Sequence, residues 1–371
     1  MKSAPQTSQV QNLMTQRIRP DVQAMHAYVV QDSTGMVKLD AMENPHRLSP
    51  ELQAQLGQRL GAVALNRYPA GRINDLRRAL ANHTDMPAGY ELILGNGSDE
   101  LISLLALACA VSAGSQKACV LAPVPGFVMY AMSAQLQGLD FCGVPLTTNF
   151  ELDVSAMQAA IAERKPAITY LAYPNNPTAN LWGDEAMETV IHAAGEVGGL
   201  VVIDEAYQPF AAKSYLDRLT RHPHVLLLRT LSKFGLAGIR LGYLMGPQAL
   251  IAQIDKVRPP YNVSVLNCEA ALFALEHQEV FEAQTLDICV QRAHIFEALT
   301  QLPHVQAYPS EANMLLLRVP DAQKTFDGMA ARGVLVKNVS KMHPLLAQCL
   351  RLTVGTAEEN HLMLTALEAS L

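Results

Sequence analysis

Runs of basic residues, closely spaced cysteines and apolar stretches of membrane-spanning length are all missing from this chain of 371 residues. Lysine and arginine number 28 against 34 acids, a net charge of −6, and no aromatic-basic stripe breaks the mixture, which argues against a nucleic-acid partner. The longest apolar run, LISLLALACAVSAG (101–114), is too short to cross a bilayer. The opening MKSAPQTSQVQNLMTQRIRP is polar and lacks the apolar centre of a secretory signal, so a cytoplasmic location without membrane contact is expected. The six cysteines, at 109, 119, 142, 268, 289 and 349, are too scattered for a disulfide framework or a zinc ribbon and read as small buried hydrophobes. The eleven histidines, the local pair His222 and His224 included, lack a metal-ligand spacing, and no metal is expected. No internal repeat is present.

What remains is ample apolar material, half of the residues, on a chain long enough for a large domain and a smaller companion. From about residue 90, short runs that are apolar throughout (LIL, ACVLA, AITYLAY, LVVID, VLLLRT) alternate with amphipathic helical stretches. That rhythm predicts an α/β domain whose mostly parallel, doubly wound sheet is covered on both faces. Around KVRPPYNVS (256–264) it gives way to long helical stretches and then to the strand-like pieces MLLLRV, VLVKNV and CLRLTVG. The expected organisation is an N-terminal arm and strand over 1–50 packing on the small domain, a large domain over 51–262, and a small α+β domain over 263–371.

In a doubly wound sheet, ligands bind beyond the carboxyl ends of the strands, so the residues that follow each apolar run carry the information. AITYLAY is followed by PNNPT with Asn175 and Asn176, and LVVI by Asp204 with Tyr207 three residues on. VLLLR is followed by Thr230, Ser232 and Lys233, with Arg240 seven beyond the lysine, and LIL by GNGSDE with Ser98 and Asp99. Taken singly, each has an ordinary structural reading: an ion-pairing acid, a turn, a solvated lysine, a capped helix start. GNGSDE also fails the dinucleotide fingerprint, because Glu100 stands where a third glycine belongs. All four on one rim make independent accident the weaker explanation.

Pyridoxal phosphate is a ligand that uses them all. Its phosphate suits the helix start at Ser98 and Asp99, with Ser232 and Arg240 completing the cradle. Asp204 would keep the pyridine nitrogen protonated, making the ring an electron sink, while Asn176 and Tyr207 hydrogen-bond its phenolic oxygen. Phe127 would cover the ring face, or serve as an ordinary core phenylalanine. Lys233 would condense with the aldehyde and later carry the proton between substrate and cofactor carbons.

With these residues in view, the chain resembles the fold-type I pyridoxal-phosphate-dependent aminotransferases and, among them, is similar to the histidinol-phosphate aminotransferases. The segments that carry the resemblance run in order along nearly the whole chain: AYVVQDSTGMVKLDAMENP, RYPAG, GNGSDELI, APVPGFVMY, YPNNPTAN, VVIDEAYQPF, RTLSKFGLAGIRLGY and CLRLTVGT. The resemblance implies amino transfer between glutamate and imidazole-acetol phosphate, giving 2-oxoglutarate and histidinol phosphate. It also implies a homodimer in which Tyr68, of RYP, touches the cofactor phosphate of the neighbouring subunit. Arg351 would anchor the carboxylate or phosphate of either substrate through its planar fork. Lys337 stands where many relatives carry a second arginine, and Tyr28 and Glu43 resemble positions lining the substrate pocket.

Three positions depart from the family pattern. Met42 replaces an asparagine in AMENP, Phe127 occupies a stacking position often held by tyrosine, and Ala179 replaces the glycine of PNNPTG, which predicts a turn there without positive φ. Alternative readings are an aminotransferase for aromatic amino acids, a threonine-phosphate decarboxylase-like enzyme, and a regulatory protein that binds the cofactor without turnover. The last is disfavoured by the intact Lys233, Asp204 and Tyr207.

Overall fold

The structure, a computed structural model, describes residues 7–25, 27, 31–69, 71–111 and 117–371. By contact density residues 1–34 form one unit, containing the helices Thr7–Arg17 and Pro20–Gln23, and residues 35–371 form a second.

The second unit is organised around a seven-stranded sheet made of β2 (Tyr90–Gly95), β3 (Cys119–Val124), β4 (Asp140–Pro145), β5 (Ile168–Ala172), β6 (Leu200–Asp204), β7 (Val225–Thr230) and β8 (Gly242–Pro247), with β1 (Val37–Lys38) lying outside it. Its strand order is β2-β8-β7-β6-β5-β3-β4. Only β8 runs against its neighbours, β2 and β7; the other pairs are parallel. The apolar runs are explained by burial on both faces. Along β6, Val201 and Ile203 enter one core with the helices Val154–Arg164, Asp184–Glu196 and Val265–Glu276, whereas Val202 enters the opposite core with Ser98–Ala108 and Met129–Leu136. Side chains alternate across a strand, so a strand covered on both sides must be apolar at every position.

A second, four-stranded antiparallel sheet has the order β12-β13-β10-β9, where β9 is Gln306–Ala307, β10 Met314–Arg318, β12 Lys337–Asn338 and β13 Cys349–Thr353. Its core is Met314, Leu315, Leu317, Leu350 and Leu352 against Ile288, Ile295, Leu299, Met363 and Leu367. β1 pairs in parallel with β11 (Val334–Leu335), so the chain segment that follows residue 35 docks beside this smaller sheet. The stretch VLVKNV, read as a single strand, is two: β11 and β12 flank the buried Val336 and pair with different partners. Ala179 also departs from expectation. It adopts φ 62 in spite of its methyl group, with its N–H on the Asn175 carbonyl (2.8 Å) and its carbonyl taking the Glu311 N–H (2.7 Å). Two backbone hydrogen bonds hold a conformation that local preference alone would give to glycine.

A buried ion pair braces the strand ends that matter below. The Glu205 carboxylate, wholly buried, accepts from Arg229 Nε (2.9 Å) and Nη2 (2.8 Å), from Ser214 Oγ and from the Tyr215 N–H. Removing one partner strands the other in a low-dielectric interior. Arg229→Met is expected to lower unfolding stability by about 3–5 kcal/mol, measured by urea denaturation at pH 7, with Arg229→Lys losing less.

Candidate active site

Parallel alignment brings the polar residues together. β2, β5, β6 and β7 end on one rim, delivering Ser98 and Asp99, Asn176, Asp204, and Ser232 and Lys233 in turn. Because β8 is reversed, its start lies at that same rim, and Arg240 just before it arrives there too. These seven residues, with Phe127 and Tyr207, line a pocket of about 590 Å³ open to solvent, together with Met42, Tyr130 and Thr230.

At the floor, Asp204 is 4% exposed. It accepts from Tyr130 Oη (2.6 Å) and the Ala206 N–H (3.0 Å), both uncharged donors. Burial pushes its carboxyl from an ordinary 3.8 up to about 6, against the pull of those two hydrogen bonds. Lys233 shows the mirror image: burial, then the nearby Arg351 and Arg240, lower its ammonium from 10.5 to about 8. Its Nζ donates to the Ala41 carbonyl (3.1 Å) and lies 5.7 Å from the centre of the Tyr207 ring. Tyr207 Oη accepts from Asn176 Nδ2 (3.1 Å), and burial raises its phenol well above the usual range.

The opposite end of the pocket is built to admit an anion. Gly97 (φ 81) precedes the helix Ser98–Ala108, and no side chain caps that helix. A Cβ on Gly97 would lie 2.6 Å from Arg240 Nη2, and one on Gly242 would lie 2.7 Å from the Ser98 nitrogen. Only glycines allow the guanidinium and the strand to approach the helix start this closely. Arg240 Nη2 also pairs with Asp99 (3.1 Å), and Thr230 Oγ1 donates to Ser232 Oγ (3.0 Å).

Arg351, on β13, is buried and donates to Asn176 Oδ1 (2.8 Å) and to the Asp40 carbonyl (2.6 Å). Lys337 is its direct cross-strand partner, placing two cations on one face of the small sheet. Glu43 is exposed and ion-paired to Lys38. Tyr68 does not line the pocket; it is 73% exposed and stacked on Tyr261 at 4.3 Å. Tyr28 lies outside the described residues. Asn175 holds the PNNPT turn through Pro125 O and Thr178 Oγ1.

Sequence reasoning missed Tyr130. It holds Asp204, stacks on Tyr170 at 4.3 Å and meets Phe127 edge-on at 5.6 Å. Its signal was weak, an aromatic three residues after Phe127 inside an apolar helix. Among the described residues no cluster of metal ligands occurs, and no helix is long and apolar enough to cross a membrane. The cysteines are unpaired.

A buried acid facing neutral donors, a depressed lysine and a glycine-lined anion cup suit pyridoxal phosphate. Its ring nitrogen would give Asp204 a cationic partner, and its phosphate would engage the helix start, Ser232 and Arg240. The chain belongs to the class I and II aminotransferases, whose family model matches residues 34–367. This is a pyridoxal-phosphate-dependent family of transferases. Within it, the chain is 72% identical to the histidinol-phosphate aminotransferase of Polaromonas naphthalenivorans over 95% of its own length and 96% of the relative's. It is 66% identical to that of Methylibium petroleiphilum, with 95% and 94% covered. A solved structure, the Sinorhizobium meliloti histidinol-phosphate aminotransferase in complex with pyridoxal-5'-phosphate, superposes with a TM-score of 0.81 at 25% identity, covering 95% of this chain and 96% of that one.

The pKa shifts have a stability consequence for the cofactor-free protein. Asp204 binds its proton more tightly folded than unfolded, so stability falls as pH rises from about 4 to about 6. Lys233 binds its proton less tightly folded, so stability falls as pH drops from about 10 to about 8. At pH 7 both costs are present. Asp204→Asn is therefore expected to stabilise the cofactor-free protein at pH 7 by about 1–3 kcal/mol. The gain should vanish below about pH 4, as followed by denaturant melts across pH.

Proposed function

We propose that this chain transfers an amino group between L-histidinol phosphate and 2-oxoglutarate, giving imidazole-acetol phosphate and L-glutamate. The observation that carries the reading is the link between amine and anion sites. Lys233 Nζ donates to the carbonyl of Ala41 and Arg351 Nη2 to that of Asp40, so the proton carrier and the anion anchor hold adjacent residues of one segment. A small substrate with an amine near one anionic group spans that interval. The close relatives' names support the phosphate-bearing substrate, and the Lys337–Arg351 pair supports an anchor that accepts phosphate or carboxylate.

When bound, pyridoxal phosphate supplies an aldehyde carbon and a protonated ring that accepts an electron pair. Lys233, partly uncharged near neutral pH, would hold the cofactor at its aldehyde carbon and, once displaced from it by the substrate amine, would move a proton at its Nζ to and from the substrate carbon. Asp204 would hold a proton at the ring nitrogen, Tyr130 orients Asp204, and Asn176 orients Tyr207, which would face the ring oxygen. Phe127, which lines the pocket, would shield the ring face. Glu43 and Tyr28 belong to the substrate route in this reading. So do a cytoplasmic homodimer, with Tyr68 of the partner subunit reaching the cofactor phosphate, and a division between large and small domains near residue 262.

Adding histidinol phosphate to the loaded protein should shift the cofactor's visible absorbance, and 2-oxoglutarate should restore it; release of carbon dioxide from phosphothreonine would instead indicate the decarboxylase. Lys233→Ala should give no borohydride-trapped adduct and lose roughly 10²–10⁴-fold or more in rate. Arg351→Ala should raise KM for both substrates about 10- to 100-fold with a smaller change in kcat. An unchanged KM would place the anion site elsewhere.

A further inference from the structure

We propose that Met42 is a specificity-determining residue that selects an amine bearing an aromatic or heteroaromatic ring over a dicarboxylic one; this rests on the aminotransferase reading above. Asp40, Ala41 and Met42 are consecutive, and each has a tertiary contact that fixes its direction. The Asp40 carbonyl holds Arg351 and the Ala41 carbonyl holds Lys233. Met42 donates its N–H to Thr353 Oγ1 (3.0 Å) and accepts at its carbonyl from Asn313 Nδ2 (3.0 Å). Asn313 and Thr353 are themselves buried, so this backbone has little room to turn.

Of the three residues, only Met42 lines the pocket. A substrate whose amine reaches Lys233 and whose anion reaches Arg351 must lie along this segment, and the residue it meets there is Met42, which is 9% exposed and also belongs to the core beside the small sheet. Methionine offers no hydrogen-bond donor and only a weak acceptor, but its polarisable sulfur packs favourably on aromatic rings. A second carboxylate arm gains nothing from it. Met42 sits at φ 53, a left-handed conformation in which glycine or asparagine is the locally preferred residue.

The test compares half-reactions of the loaded protein with histidinol phosphate, phenylalanine and glutamate, followed through the cofactor spectrum. Asparagine suits the backbone at residue 42, so Met42→Asn should fold. In it, the ratio of kcat/KM for histidinol phosphate to that for glutamate should fall about threefold to tenfold, chiefly through KM. The rise in melting temperature produced by histidinol phosphate should shrink in parallel. Met42→Leu, which keeps an apolar wall, should hold the ratio within about twofold. An unchanged ratio in Met42→Asn, or an equal loss in Met42→Leu, overturns the proposal. A wild type that reacts with phenylalanine and glutamate but not with histidinol phosphate overturns the proposed function alone, and the Met42 ratio is then decided on phenylalanine by the same criterion. A wild type inert to both aromatic amines overturns the two together.

Discussion

Ala172, Asp204 and Leu228 are register partners across three adjacent parallel strands, and the site depends on that alignment. Parallel pairing forces each connection to cross back over a face of the sheet, so every strand that runs in parallel ends at the same edge. Asn176 and Lys233, from the connections after β5 and β7, meet Asp204, the last residue of β6, because β5, β6 and β7 stop together. The reversed β8 extends the logic, since a strand entering from the rim delivers Arg240, two residues before its start, to the place where its neighbours deliver the residues after them.

The electrostatics of the pocket follow from this placement. A strand buried on both faces carries its terminal carboxylate into a region where charge is poorly solvated, and Asp204 there meets only a phenol and an amide. Lys233 is drawn in from the next strand end and is further disfavoured as a cation by Arg351 and Arg240. Each group is pushed toward its neutral form, and each cost is offset by the apolar layers on either side of the sheet. Asp204 and Lys233, which in the proposed reading hold the cofactor, are thus each disfavoured in their ordinary charge state without it, a common arrangement at functional sites. Arg229 and Glu205, one strand position away, show the contrasting case: a buried pair whose charges satisfy each other.

Much of this was legible because the buried strands are apolar at every position and their ends are marked by abrupt polarity. LVVID and VLLLRT announced both strand and site residue. DFCGVP and GYLMGP, which form β4 and β8, were obscured by glycine and proline, and nothing local told that β8 runs in reverse. VLVKNV reads as one strand because its pattern is continuous; only the positions of β1 and β13 divide it. Ala179 departs from its local preference because its φ is set by hydrogen bonds to Asn175 and to Glu311, the second far along the chain. Tyr130 looked like helix core, which in part it is.

Residue order alone dictated the layered α/β architecture and the kinds of chemistry available, since periodic burial and strand-end polarity are local properties of the chain. Which groups touch was decided only when the chain closed on itself. Arg351 reaches the Asp40 carbonyl across 311 positions of sequence, and Tyr130 reaches Asp204 across 74. Such contacts, and the desolvation that tunes Asp204 and Lys233, arise from packing between distant elements, and no local pattern encodes a distance between them.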